Sequence, residues 1–204
     1  MTARPLCVSI SLIGLFGLSA MLAAQGNASR TAQEEKAVYE AVIENLLHNA
    51  GPGHSAHVAI RGTTVTGQRS QDPASDATAE LTKLLESING DSAPLDASLR
   101  AHYVAANRTA QPFPTEPALA LSVPHVIQPF DLSSKDFWAQ FYKKYPGSAG
   151  IVVFSRVGFN DSFTRAFVYR EHLYANRGMN GEYLVLVRDA KGWRIEKTIP
   201  SWIA

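Results

Sequence analysis

Val38, Tyr39, Val42, Ile43, Leu46 and Leu47 recur three and four positions apart, the spacing of one face of an α-helix. Just upstream, Thr31 and Glu34 have the form of a capping box, in which a hydroxyl and a carboxylate three residues on satisfy free amides at a helix start. Gly51-Pro52-Gly53 stops the run, so the pattern predicts an amphipathic helix over 31–49. His57 to Thr66 is rich in β-branched residues and predicts a strand, and the polar stretch 68–75 a loop. Pro73, Ser75 and Asp76 open a second helix carrying Leu81, Leu84, Leu85 and Ile88, closed by Asn89-Gly90. A third begins near Pro94, with Leu95, Leu99 and Tyr103 on one face. Three prolines make 108–118 irregular, and 118–127 is a strand that Pro124 confines to an edge or splits.

Past this point the chain changes character. Ser133 or Ser134 caps a short aromatic helix with Phe137, Trp138, Phe141 and Tyr142, ending at Pro146-Gly147. Residues 150–157, 164–172, 182–188 and 193–200 then read as four strands, the last two joined by the turn Asp189-Ala-Lys-Gly192. Short links make them an antiparallel meander. Ile151–Phe154 and Tyr183–Val187 are apolar on both faces and belong in the centre. Trp193, Ile195, Lys197 and Ile199 alternate with Arg194, Glu196 and Thr198, the pattern of a half-wet strand. The expectation is an α+β fold: N-terminal helices (about 31–107) on one face of a C-terminal four-stranded antiparallel meander (about 118–204), with one or two further strands.

Composition fits that picture. The chain has 204 residues, 46% hydrophobic and 18% charged, enough to bury a core in one domain. Its net charge is +1, with no run of like charges, so it lacks the basic footprint of a nucleic-acid partner.

Met1–Pro5 carries one charge, Arg4; Leu6–Ala24 carries none and is rich in Leu, Ile, Ala and Gly; small residues follow up to Gly26. This is the layout of a secretory signal peptide, residues 1–26, cleaved after Gly26 or next after Ala24. The competing reading is a retained anchor, the one case in which a membrane enters. Cys7, the only cysteine, sits at the start of the apolar run and not after it, where a lipidated cysteine belongs. A cleaved chain, exported to the periplasm or medium, therefore has no disulfide, thiolate nucleophile or Cys-based zinc site.

Phe141-Tyr-Lys-Lys-Tyr-Pro-Gly-Ser-Ala-Gly-Ile-Val-Val-Phe-Ser-Arg-Val-Gly-Phe-Asn160 and the ending Gly192-Trp-Arg-Ile…Ser201-Trp-Ile resemble a block of uncharacterised exported bacterial proteins. The likeness covers about 137–204 and implies no established activity. Relatives of this kind often carry a Gly/Cys-rich loop between the second and third strands; here Leu173 to Gly181 has Gly178 and Gly181 but no cysteine, so no redox or metal role is carried over. The helix-plus-meander order also resembles the curved-sheet cone folds of the nuclear-transport-factor-like group, an analogy of fold alone.

Candidate chemistry is sparse. His54 and His57 stand three apart, the spacing of a metal pair on a helix, but they lead into a strand and read better as two surface histidines; no metal or other cofactor is expected. Glu171 and His172 offer a carboxylate and an imidazole beside Tyr169 and Arg170, yet neighbours on a strand point to opposite faces. Arg156 shares a face with Val152 and Phe154; it either pairs with Asp161, Glu171 or Glu196 or lines a cleft and grips a ligand carboxylate. There is no Gly-x-Ser-x-Gly, no Ser-x-x-Lys and no phosphate-binding loop; Ser148 in Pro-Gly-Ser-Ala-Gly comes nearest. The aromatic cluster 137–145 fits a helix packed on the sheet better than a stacking platform. Asn107-Arg-Thr109 and Asn160-Asp-Ser162 match the glycosylation pattern, which carries little meaning in a bacterial exported chain.

The leading expectation is an exported, non-enzymatic domain that binds a small molecule or a protein through the concave face or loop edge of its sheet. The alternatives are a hydrolase or isomerase with a site drawn from Arg156, Tyr169, Glu171 and His172, and a structural envelope protein.

Overall fold

The computed structural model describes residues 14–49, 57–66, 77–89, 95–114, 125–127, 132, 134–175 and 178–204. The chain divides into two compact units, Met1–Glu34 and Glu35–Ala204. Helix α1 is Gly14–Asn49. It is unbroken at Gly26 and at Thr31, so the expected capping box does not form. The Thr31 hydroxyl instead donates to the Asn27 carbonyl one turn back (2.9 Å), the bond a threonine makes inside a helix. Among the described residues no helix is long and apolar enough to cross a membrane.

The second unit is α+β, with helices packed on a C-terminal sheet. After α1 the order is β1 Ala59–Arg61, α2 Ala77–Asn89, α3 Ala97–Ala106, β2 His125–Ile127, α4 Phe137–Lys144, β3 Ile151–Phe154, β4 Gly158–Phe159, β5 Arg165–Tyr174, β6 Gly178–Asp189 and β7 Gly192–Ile203. The strands run β2-β1-β3-β5-β6-β7, with β4 also on β5. From β3 to β7 every pairing is antiparallel, the expected meander. The two further strands are parallel: β1 lies beside β3 and β2 beside β1. Periodicity cannot reveal this, since strand direction follows from where the long connections run. The β6–β7 hairpin closes at Asp189-Ala-Lys-Gly192, where Gly192 takes φ of +119°, a left-handed conformation that favours glycine.

The helices divide between the two faces instead of sharing one. Val38, Tyr39, Val42 and Ile43 of α1 pack with Ile60, Val152, Phe154, Val168 and Leu184. On the other face Leu81 and Leu85 of α2 and Leu95, Leu99 and Tyr103 beside and within α3 pack with Phe167, Tyr169, Tyr183 and Val185. Phe141 of α4 packs there too, against Ala59, Ile151, Val153 and Leu173, with the other aromatics of 137–145 around it, as a core element. Strands apolar on both faces need cover on both sides, which is why α1 lies opposite the rest. In β7 the register shifts opposite Val185 and Leu186, so Ile195 joins the α1 side while Ile199 joins the α2–α3 side. A bulge of this kind breaks the simple alternation read from 193–199.

The Asp96 carboxylate accepts from the Leu99 amide (2.8 Å) and caps α3, two residues after the expected start at Pro94. Helix α4 has Asp136 at its N-cap without a side-chain bond, and the Ser134 carbonyl, not its hydroxyl, takes the Phe137 amide (3.1 Å). The expected cap of α2 at 73–76 lies outside the described residues.

Candidate functional site

The alternation of β5 separates the residues singled out from the sequence. Tyr169 and Glu171 project to the face of α2, α3 and α4, and Arg170 and His172 to the opposite one. Arg156 follows β3 on the α1 side. The four do not meet in one pocket.

Arg156 forms an ion pair, but with none of the three carboxylates named for it. Its Nε and Nη2 donate to Glu35 Oε1 and Oε2 of α1, both at 2.6 Å, and Nη1 donates to Gln111 Oε1 at 2.6 Å. The guanidinium thus grips a carboxylate bidentately, and the carboxylate belongs to the chain itself. Glu35 is 2% exposed and also accepts from the Tyr39 hydroxyl (2.9 Å) and the Val157 amide (3.1 Å). The bond to Glu35 outweighs burial and raises the Arg156 pKa, while burial, then Glu35, raises that of Tyr39 well above the phenolic range. The pair extends into a buried polar network. Asn107 Oδ1 accepts from the Arg156 amide (2.8 Å), and its Nδ2 donates to the carbonyls of Tyr103 (2.9 Å) and Arg156 (3.0 Å). Ser155 Oγ accepts from the Tyr103 hydroxyl (3.2 Å) and the Tyr169 amide (2.9 Å). A signal for Glu35 existed: it lies on the stripe of Val38, Tyr39 and Val42 and is the charged member of an apolar face.

On the α2–α4 face, the Tyr169 hydroxyl donates to Glu171 Oε1 (3.1 Å) and accepts from Trp202 Nε1 (2.6 Å). Burial and then the Glu171 charge push the Tyr169 pKa up, so this phenol is a fixed hydrogen-bond donor and not a base. The close approach of Trp202 and Tyr169 is allowed by Gly181 between them, where a Cβ would meet both.

On the opposite face His172 bonds through Nε2 to the Ala149 carbonyl (2.8 Å), and burial pushes its pKa down to about 4. The ring is therefore neutral near pH 7, with Nε2 donating and Nδ1 left as the acceptor. Arg170 pairs with Glu182 across the β5–β6 ladder. Arg170 Nε and Nη1 and Asn180 Oδ1 are buried without a hydrogen-bond partner among the described residues.

His57 lies two residues before β1 and is partly buried, and His54 lies outside the described residues. No group of three metal-ligating side chains occurs among the described residues. Ser148 is 8% exposed and closes its own loop, donating to the Gly150 carbonyl (3.0 Å) and accepting its amide (3.2 Å). Both asparagines of the glycosylation pattern serve the fold. Asn107 is 1% exposed, and Asn160 Oδ1 caps the turn before β5 by accepting from the amides of Thr164 (2.9 Å) and Arg165 (3.0 Å).

A concave feature among the described residues lies elsewhere, between α2 and α3, with a volume of about 380 Å³. Leu85, Ala101, Val104 and Ala105 supply its apolar lining; Thr82, Glu86, Arg100 and Arg108 complete it. The two helices meet through Leu81, Leu85, Leu99 and Tyr103. Next to that seam, Ala101 and Ala105, one turn apart, are too short to close the gap, and a groove is left. Arg100 lies within α3 and Arg108 just past its C-cap Asn107, and both line the groove with Val104 between them in sequence. Sequence reasoning missed this site because alanines and single arginines on a helix carry no motif; the one sign was the Arg-x-x-x-Val-x-x-x-Arg spacing.

Comparison with family models, curated proteins and solved structures finds no match to this chain.

Proposed function

We propose that this chain is the precursor of an exported domain, periplasmic or extracellular, which binds a small organic ligand in the α2–α3 groove and is not an enzyme. It groups, on this reading, with the uncharacterised exported bacterial proteins whose block resembles 141–160. The observation that carries the proposal is the groove itself. Its volume of about 380 Å³ lies in the range of small-ligand sites, and it combines apolar lining with a few charged groups. The sequence favoured the concave face or loop edge of the sheet; helices pack on both of its faces, which favours a seam between helices over the sheet face.

The acid–base candidates support the same reading. Glu171 and His172 point to opposite faces, Arg156 is engaged with Glu35, and Tyr169 sits between Glu171 and Trp202. General acid–base catalysis needs its partners within hydrogen-bond reach of one substrate.

The test is ligand-observed NMR with a library of small organic compounds, run on the chain and on Ala105→Trp, which fills the groove. Compounds that bind the chain should lose their signal with Ala105→Trp and keep it with Glu171→Gln. Hits that survive Ala105→Trp but vanish with Glu171→Gln, or that are turned over, contradict the proposal. Export is tested by N-terminal sequencing of protein recovered outside the cytoplasm of a bacterial host. A start at Asn27 or Gln25 is expected, and an intact N-terminus held in the membrane fraction contradicts it.

A further inference from the structure

We infer that the ligand of the α2–α3 groove is an organic anion with an apolar body and one anionic head group, a deepening that rests on the ligand-binding reading above. Three observations point to this class. The lining from Leu85, Ala101, Val104 and Ala105 is apolar and suits a hydrocarbon chain or ring. Arg100 and Arg108 both line the groove, and neither has an ion-pair partner among the described residues. Among the described residues of the lining Glu86 is the one acidic group beside two arginines, so their charges sum to a single positive one, matched by a single negative one.

Arginine suits this task. Its guanidinium stays charged at any physiological pH and presents a planar fork to a carboxylate, sulfonate or phosphate oxygen pair. A structural role for either side chain is not what the fold asks of them: α3 is capped by Asp96 and Asn107 and anchored by Leu99 and Tyr103 without them. A neutral apolar ligand needs neither arginine, and a cation is repelled by both. The head group has two lining guanidiniums to pair with, so the two arginines substitute for each other in part.

The test uses two fluorescent probes with the same naphthyl and phenyl rings, 8-anilino-1-naphthalenesulfonate and the uncharged N-phenyl-1-naphthylamine. Groove binding is read as the difference between the full chain and its Ala105→Trp variant, with Ala101→Trp as a second blocker. Circular dichroism melting shows that each variant is folded. The sulfonate should bind the groove at least about tenfold more tightly than the neutral probe, the worth of one charged hydrogen bond. Arg100→Gln/Arg108→Gln together should bring it down to the neutral probe's affinity, and each single change should do less. Equal binding of the two probes, both blocked at Ala105, overturns the inference and leaves the ligand-binding reading standing. Binding of both probes that is indifferent to both blockers overturns the reading and the inference with it. A sulfonate preference that survives the double arginine change also overturns the inference, because the charge recognition then lies elsewhere.

Discussion

Replacing Arg156 by leucine removes the partner of a carboxylate that is 2% exposed. Glu35 Oε1 keeps the Tyr39 hydroxyl and the Val157 amide, but Oε2 loses the Nη2 donor that holds it. A buried charge stripped of its counter-ion costs about 3–5 kcal/mol. Arg156 itself is 25% exposed, so water reaches part of the site and places the cost at the lower end, about 3 kcal/mol. Urea unfolding followed by tryptophan emission measures it directly. With a slope of about 2 kcal/mol per molar, the midpoint should fall by roughly 1.5 M at unchanged slope. The cost comes from an orphaned charge and not from lost contacts, so Glu35→Gln/Arg156→Leu, which removes both charges, should regain more than half of it. Glu35→Gln alone should cost less than Arg156→Leu, because the arginine it orphans can turn to solvent. A loss below about 1 kcal/mol for Arg156→Leu, or a double variant as weak as the sum of the singles, refutes the assignment of this pair as a coupled structural contact.

Two further outcomes follow from single residues. His172 is neutral in the fold with a pKa of about 4, against an ordinary value of 6.5, so the unfolded chain binds the extra proton first. Stability is full above pH 6.5 and falls as the pH drops toward 4, by up to about 3 kcal/mol, and His172→Gln should flatten that slope in thermal melts taken between those limits; an unchanged slope excludes the imidazole as the cause. At Gly158 a Cβ would lie 2.8 Å from the Tyr103 Cα, backbone that cannot step aside, so Gly158→Ala should lower stability by about 1–3 kcal/mol in the same urea assay, while a neutral result means that α3 shifts freely on the sheet.

Much of the fold was legible because its elements are separated by proline and glycine and marked by clear periods. The Leu95-Leu99-Tyr103 stripe, the apolar runs Ile151–Phe154 and Tyr183–Val187, and the Asp189–Gly192 turn stand as read. The parallel placement of β1 and β2 was not legible, since it depends on how long connections cross the sheet. Nor was the position of α1 opposite the other helices, although two strands apolar on both faces implied cover on both. Alternation misled in β7, where a bulge moves Ile199 to the other face from Ile195, and the Thr31 cap failed because the helix continues through it. Of the site, the strand geometry that separates Glu171 from His172 was readable in advance. Arg156 needing a partner was readable as well; that the partner is Glu35 rather than a nearer carboxylate depends on helix α1 crossing the sheet, over a separation of 121 residues. The groove was invisible because it is made by what two alanines do not fill.

Amide-resolved two-dimensional NMR of the ¹⁵N-labelled chain, titrated with 8-anilino-1-naphthalenesulfonate, tests the central claim most directly. Saturable shifts concentrated on Leu81–Glu86 of α2, on α3 and on Arg108 just past its end, absent in Ala105→Trp, are the predicted result. Saturable shifts centred instead on Tyr169, Glu171 and Trp202, or none in the second unit at saturating probe, contradict it.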